Sequence, residues 1–278
     1  MKNRFELCDI PFSLDETLSC GQVFRWKKVN DFWEGVCHGR FIKVLQNKKF
    51  LEYSGCDEEF LKYYFQLDLD LDLVLDSVCT DEHIEKAINE RYGLRLVRQE
   101  PWECLLSYIC AQNANIGFIS RMLENMSAMC GEKIGTDEGS YSYPSAESLS
   151  QKCVTDIGCC STGYRAPYIC ETSFAVMSDP KWSKRIQNLG YPDARKEIMK
   201  YKGVGPKVAD CILLFAFQKF ESFPVDVWIR RIMNGFYGIG NPEKPMSSSE
   251  YASISSFARD HFGEYAGYAQ EYLFAGRK

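Results

Sequence analysis

From the start to about residue 56, apolar and polar positions alternate and the alternation breaks at short polar pairs. VFRWKKV (23–29), FWEGVCHG (32–39), FIKVLQ (41–46) and KFLEYS (49–54) read as strands, separated by Asn30-Asp31, Gly39-Arg40 and Asn47-Lys48. A small antiparallel sheet is expected there. From Asp57 onward the spacing changes to three and four. DEEFLKYYFQL opens on a capping aspartate, DEHIEKAINERY follows, and PWECLLSYICAQ starts at Pro101 with Trp102, Leu105, Leu106 and Ile109 on one stripe. GEKIGTDEGSYSYP, Gly131 to Pro144, is the long loop candidate, and no internal repeat is visible. The pattern predicts an α+β fold, with an N-terminal antiparallel β domain over 1–80 and a mostly helical region over 81–278.

Within the helical part, YKGVGPKVADCILLFAFQKFESFPVD (201–226) carries the most chemistry. Pro192 to Lys200 is glycine-free and helix-forming. Pro206 suits a first helical position, and Val208, Cys211, Ile212 and Phe215 then repeat on one face. A helix, a tight turn and a second helix follow in order. Gly203 and Gly205 allow positive φ and close backbone approach, so exposed amides beside a helix N-terminus make a site for a phosphate. The same turn could simply join two core helices. Lys207 adds an amine at the positive end of that helix, where a Schiff-base nucleophile would be useful; a plain phosphate contact is the alternative. Asp226, in PVDVWIRR, reads first as a helix N-cap, and a cap also aims a carboxylate.

Composition and charge narrow the partners. The chain has 278 residues, 45% of them apolar and 14% aromatic, which suits a soluble globular protein with two or three subdomains. Its net charge of −5 is unevenly distributed: Asp57 to Glu90 holds eleven acids and two bases, whereas Lys181 to Asn234 holds eleven bases and five acids. The positive segment coincides with the glycine turn, which favours a nucleic-acid partner there. No apolar run reaches eighteen residues and MKNRFELCDI lacks a signal-peptide core, so a cytosolic, non-membrane protein is expected. Thirteen cysteines without a CxxC pair fit reduced thiols, and three histidines give no pair at metal-ligand spacing.

GVGPK and PVD at this spacing resemble the helix-hairpin-helix glycosylases with a Gly/Pro-rich loop and a downstream aspartate. Within that superfamily the chain resembles, nearly end to end, an 8-oxoguanine DNA glycosylase/AP lyase with an extra N-terminal domain. CGQVFRW (20–26), LSYICAQNANI (106–116), GYRAPY (163–168) and GYAQEYLF (267–274) resemble its other motifs, in the same order. The resemblance implies that Lys207 is the nucleophile at C1′ and Asp226 its electrostatic partner. It gives Gly21 the carbonyl that accepts the N7 proton found only on the oxidised base, and gives Gln270 the Watson–Crick edge. Phe274 and Cys211 would bind the substrate base. For DNA binding it implies Asn113 filling the space of the flipped nucleotide, Tyr164 as wedge, Arg165 on the estranged cytosine, and Gly203 and Gly205 at the phosphate.

The same resemblance implies no required cofactor. An optional structural cation, monovalent or divalent, would sit at the hairpin on the carbonyls of Met199, Tyr201 and Val204. The expected partner is double-stranded DNA containing 8-oxoguanine, bound by a monomer in the cytoplasm and nucleoid of a prokaryote or the nucleus of a eukaryote. Absence of cysteine after Cys211 argues against the iron–sulfur branch. Two positions depart from the pattern. Phe118 stands where the family commonly has a second arginine for the cytosine, which puts opposite-base preference in question, and Trp228 stands where a relative can carry histidine. A non-enzymatic hairpin module, or a glycosylase for other damaged purines, are the alternatives; the second lacks the lysine.

Overall fold

The computed structural model describes residues 3–134 and 140–277. Five strands, β1 (Asn3–Glu6), β2 (Trp26–Val29), β3 (Phe32–Cys37), β4 (Arg40–Asn47) and β5 (Phe50–Ser54), form one antiparallel sheet in the order β1-β5-β4-β3-β2. The α+β expectation holds, with differences in detail. NRFE adds an unanticipated edge strand, where Phe5 pairs with Leu51 and is the one strand residue buried in the core. The strand expected from Val23 begins only at Trp26, because the segment bridges two cores: Val23 and Trp26 pack under the sheet, whereas Phe24 packs among the helices.

The β3–β4 turn is centred on His38 and Gly39, with φ of 49° and 68°. Two-residue hairpins that follow the strand twist need positive φ at both central positions, which moves the turn one residue back from Gly39-Arg40. Among the described residues, the helices are α1 (Leu14–Ser19), α2 (Glu58–Tyr64), α3 (Leu71–Val78), α4 (Glu82–Glu90), α5 (Pro101–Cys110), α6 (Ile116–Cys130), α7 (Ala146–Ser150), α8 (Val154–Ile157), α9 (Ala166–Ser178), α10 (Trp182–Gln187), α11 (Tyr191–Ile198), α12 (Pro206–Phe217), α13 (Val227–Tyr237), α14 (Ser248–Phe262) and α15 (Ala266–Ala275). Asp57 and Asp226 cap α2 and α13, as their positions predicted, and Asp81 likewise caps α4.

Helix α1 was not anticipated, although Ser13 three residues before Glu16 is the spacing of a helix start, and the Ser13 hydroxyl accepts the Glu16 N–H. Part of the expected loop, 135–139, lies outside the described residues; its flanks approach through a bridge between Lys133 and Tyr141. None of the described helices is long and apolar enough to cross a membrane.

Leu61 and Tyr64 of α2 belong to the sheet core, while α3 and all later helices build a second core that also takes in Cys20 and Phe24. The two cores are joined by a buried carboxyl. Glu103 of α5 accepts the His38 N–H at 3.0 Å and the Gly39 N–H at 3.2 Å, tying the β3–β4 turn to the helical core. The segment around Gly21 is itself tied to the helices, with the Gln22 carbonyl accepting from the Tyr108 hydroxyl at 3.2 Å and the Phe24 carbonyl from the Ser120 hydroxyl at 2.6 Å.

Candidate active site and nucleic-acid interface

The helix–turn–helix forms as the glycine spacing predicted. Gly203 has φ of +81°, and a Cβ there would lie within 3.0 Å of the Tyr168 ring, so both conformation and packing demand glycine. Thr172 donates to the Lys202 carbonyl at 3.0 Å and Val204 N–H to the Tyr201 carbonyl at 3.1 Å, which holds the turn. Gly205 caps α12 without a side chain, and the space where its Cβ would stand is empty to 4 Å. The first N–H groups of α12 are therefore left for an acceptor from outside the chain.

Lys207 lies in the first turn of α12, with its Nζ 5.3 Å from the centre of the Tyr108 ring. Tyr108, from α5, is held by stacking on Phe215 and by donating to the Gln22 carbonyl at 3.2 Å. Asp226 caps α13 through one oxygen: Oδ1 accepts the Trp228 N–H at 2.9 Å and the Ile229 N–H at 2.8 Å. Its carboxylate does not line the pocket described next. It stands close enough for Cys211 and Glu271 each to feel both its charge and that of Lys207.

One pocket of about 150 Å³ brings together Gly21, Lys207, Cys211, Gln270 and Phe274, from three separate stretches of chain. Gly21 adopts φ of +110°, a conformation that favours glycine, and its loop packs against Ile116 and Phe274 of the pocket wall. Burial pushes the Cys211 thiol up to about 12 against the opposing pull of Lys207, which leaves it a neutral, apolar face. Sequence reasoning missed Tyr108, Ile116, Phe215 and Glu271 as lining groups. All four lie inside stretches already singled out, in which other residues were given the roles.

A second group forms beside this pocket, since Ala111, Ala114 and Ile116 line the pocket and Asn113 lies between them. Asn113, at φ of 48°, donates from its amide to the Tyr164 hydroxyl at 3.1 Å. Tyr164 is 50% exposed, whereas Arg165 is only 4% exposed. The Arg165 guanidinium donates to the Gln112 carbonyl, through Nε at 3.1 Å and also through Nη2, and to Thr162 O at 3.3 Å. Phe118 lies 6.0 Å from its Cζ, and Tyr164 stacks over it at 4.5 Å. Tyr164 and Arg165 are thus brought together with Asn113, with the arginine tucked against backbone. Trp228 is exposed next to Asp226, with Arg231 over its ring at 5.1 Å.

The basic segment is only partly available to a polyanion. Arg195 is committed to the buried Asp210 at 2.8 Å and Lys200 to Glu197 at 2.6 Å. Among the described residues no cluster of three His, Cys, Asp or Glu side chains is arranged to hold a metal ion. A cation at the hairpin would have to use backbone carbonyls, of which that of Tyr201 already accepts one hydrogen bond.

Comparison with known proteins places these features in context. Residues 5–105 match the family profile described as 8-oxoguanine DNA glycosylase, N-terminal domain. The chain is 35% identical over 237 residues to a probable N-glycosylase/DNA lyase of Methanothermobacter thermautotrophicus, covering 78% of this chain and 73% of the relative. It is 30% identical to the N-glycosylase/DNA lyase of Saccharomyces cerevisiae, over 98% of this chain and 84% of that one. Its fold superposes, with a TM-score of 0.89 and 29% identity, on the Clostridium acetobutylicum 8-oxoguanine glycosylase/lyase in complex with double-stranded DNA containing cytosine opposite 8-oxoguanine. That alignment covers 99% of this chain and 95% of the other.

Proposed function

The chain belongs to the 8-oxoguanine N-glycosylase/DNA lyase family, and from that premise we propose the residue roles that follow. The protein is a bifunctional DNA repair enzyme that excises 8-oxoguanine from double-stranded DNA and cleaves the strand at the resulting abasic site. The observation that carries the assignment of roles is the single pocket joining Lys207 to Gly21, Cys211, Gln270 and Phe274.

C1′ is inaccessible while the base is stacked, so the nucleotide must be turned out of the duplex into that pocket. Asn113 and Tyr164 take the space it leaves, and the bare amides of the Gly203–Gly205 turn grip a backbone phosphate. Phe274 and the neutral Cys211 thiol bind the base, Gln270 receives its Watson–Crick edge, and the Gly21 carbonyl accepts the N7 proton. Lys207 then attacks C1′ as the C1′–N9 bond breaks. Asp226 stabilises the positive charge that develops on the sugar. The base departs with the N9 bonding pair and takes up a proton. The secondary ammonium left on C1′ gives up one proton as the sugar ring opens and O4′ gains one, and the protonated Schiff base so formed makes the C2′ proton acidic; its removal expels the 3′ phosphate.

Arg165 must leave the Gln112 carbonyl to read the estranged cytosine, and it does so without a second arginine because Phe118 occupies that place. Relaxed opposite-base preference follows. A cation on the carbonyls of Met199, Tyr201 and Val204 would stiffen the hairpin and take no part in bond breaking.

Borohydride reduction of the Schiff base tests the nucleophile. The unsubstituted protein should be trapped on an 8-oxoguanine duplex and not on undamaged duplex, and Lys207→Gln should bind DNA without forming the adduct. A trapped Lys207→Gln complex would move the amine elsewhere.

A further inference from the structure

Glu271 lines the base pocket, is 3% exposed, and has no part in the roles above. Gln270 beside it is 5% exposed, and the Oε1 atoms of both side chains are buried without a hydrogen-bond partner among the described residues. The Cys20 thiol, next to Gly21, stands close enough to interact with the Glu271 carboxyl. That thiol also lies 3.2 Å from the Thr17 carbonyl, and its single proton can serve only one of them. Two adjacent residues that line one cavity thus carry buried acceptors with too few donors, and buried polar atoms left in that state call for partners from whatever enters.

A guanine-type base supplies donors in number: N1–H, the two hydrogens on N2 and, once oxidised at C8, N7–H. An adenine-type base has donors only on its exocyclic amine. We propose that Glu271 is a specificity-determining residue whose carboxylate accepts an N–H of the extruded base alongside Gln270. This inference rests on the 8-oxoguanine reading of the same pocket and adds a recognition group to it.

The charged and titratable groups facing Glu271 are Lys207 from α12, Asp226 at the start of α13, Cys20 after α1, Tyr108 from α5 and Arg277 just beyond α15. Burial dominates over them and pushes the carboxyl up to about 7. The free enzyme therefore passes from a neutral carboxyl, with one oxygen carrying a proton, to an acceptor-only carboxylate around neutral pH. Excision kcat/KM should rise through that range. Lys207 must also be unprotonated to react, but cleavage of a preformed abasic site shares that requirement and has no base to recognise.

The experiment compares single-turnover excision from an 8-oxoguanine duplex with cleavage of the same duplex bearing an abasic site, for the unsubstituted protein, Glu271→Gln and Glu271→Leu. The expected result is a fall of about tenfold or more in the ratio of excision to abasic cleavage, the scale of one lost hydrogen bond to a charged group. The ratio should also lose its rise with pH in both variants. An unchanged ratio, whether both activities persist or both fall together, would overturn the proposal. If Glu271→Gln folds poorly, Glu271→Leu replaces the carboxyl with an apolar side chain of similar size and carries the same comparison. Abasic cleavage without any 8-oxoguanine excision by the unsubstituted protein would instead overturn the underlying substrate reading.

Discussion

Asp226 has two duties that a pair of substitutions separates. Its Oδ1 accepts both N–H groups at the start of α13, at 2.9 Å and 2.8 Å, and neither donor goes to Oδ2. Asparagine keeps that oxygen and loses the charge; alanine loses both. Removing an N-cap costs about 1 kcal/mol, which for a chain of this size lowers Tm by roughly 2–4 °C. Loss of charge stabilisation that matters only in the transition state costs about 10²–10³-fold in rate. Asp226→Asn and Asp226→Ala are therefore expected to be about equally slow in single-turnover excision, at least about 100-fold below the unsubstituted protein, while only Asp226→Ala melts earlier. DNA affinity should change little in either, because the charge acts on the developing sugar cation. The measurements are quenched single turnovers at saturating enzyme, thermal melts and duplex titrations. An Asp226→Asn variant within a few-fold of the unsubstituted rate would reduce the residue to a helix cap.

Three further outcomes are expected. Because a phenyl ring cannot donate to cytosine, excision opposite adenine, guanine or thymine should fall less below the cytosine pair than in Phe118→Arg. An arginine contact to a base edge discriminates by about 1–3 kcal/mol, and a strict cytosine requirement in the unsubstituted protein would refute this. Gly205→Ala places a methyl in open space at φ of −89°, so Tm should hold. Binding to damaged and undamaged duplexes should weaken alike, by about tenfold, if that face receives a phosphate, and unchanged affinity would remove the hairpin from the interface. Glu103 is pushed by burial, with Glu100 adding to it, from 4.5 up to about 8. A carboxyl raised on folding contributes stability that is full below its unfolded value and is lost as pH rises through about 8, about 1.4 kcal/mol per unit of the shift. Melting temperature should therefore decline between pH 5 and 9, and Glu103→Gln, which keeps an acceptor for the β3–β4 turn, should flatten that decline; equal slopes would refute it.

What the sequence alone determined is local. Period-two alternation set the hairpins, and Asp57, Asp226 and Pro101 marked helix starts because a cap or a missing N–H acts within one turn. Gly203 was legible because its positive φ belongs to its own residue, and its ordered neighbours Lys207 and Asp226 carried the family resemblance. The tertiary structure decided what depends on residues far apart in the chain. Strand β1 exists because a sheet edge offers pairing to NRFE, whose own pattern has one apolar residue. Phe24 leaves its strand because the helical core claims it. Arg165 folds back because the Gln112 carbonyl, 53 residues away, has room for a guanidinium. Glu271 is the sharpest case. On α15 a glutamate beside Gln270 reads as a solvated surface residue, and only the packing of α12, α13 and the Cys20 loop around it removes its water. Desolvation is a property of the assembled neighbourhood, and it turned an ordinary surface carboxylate into a buried acceptor at the wall of the pocket.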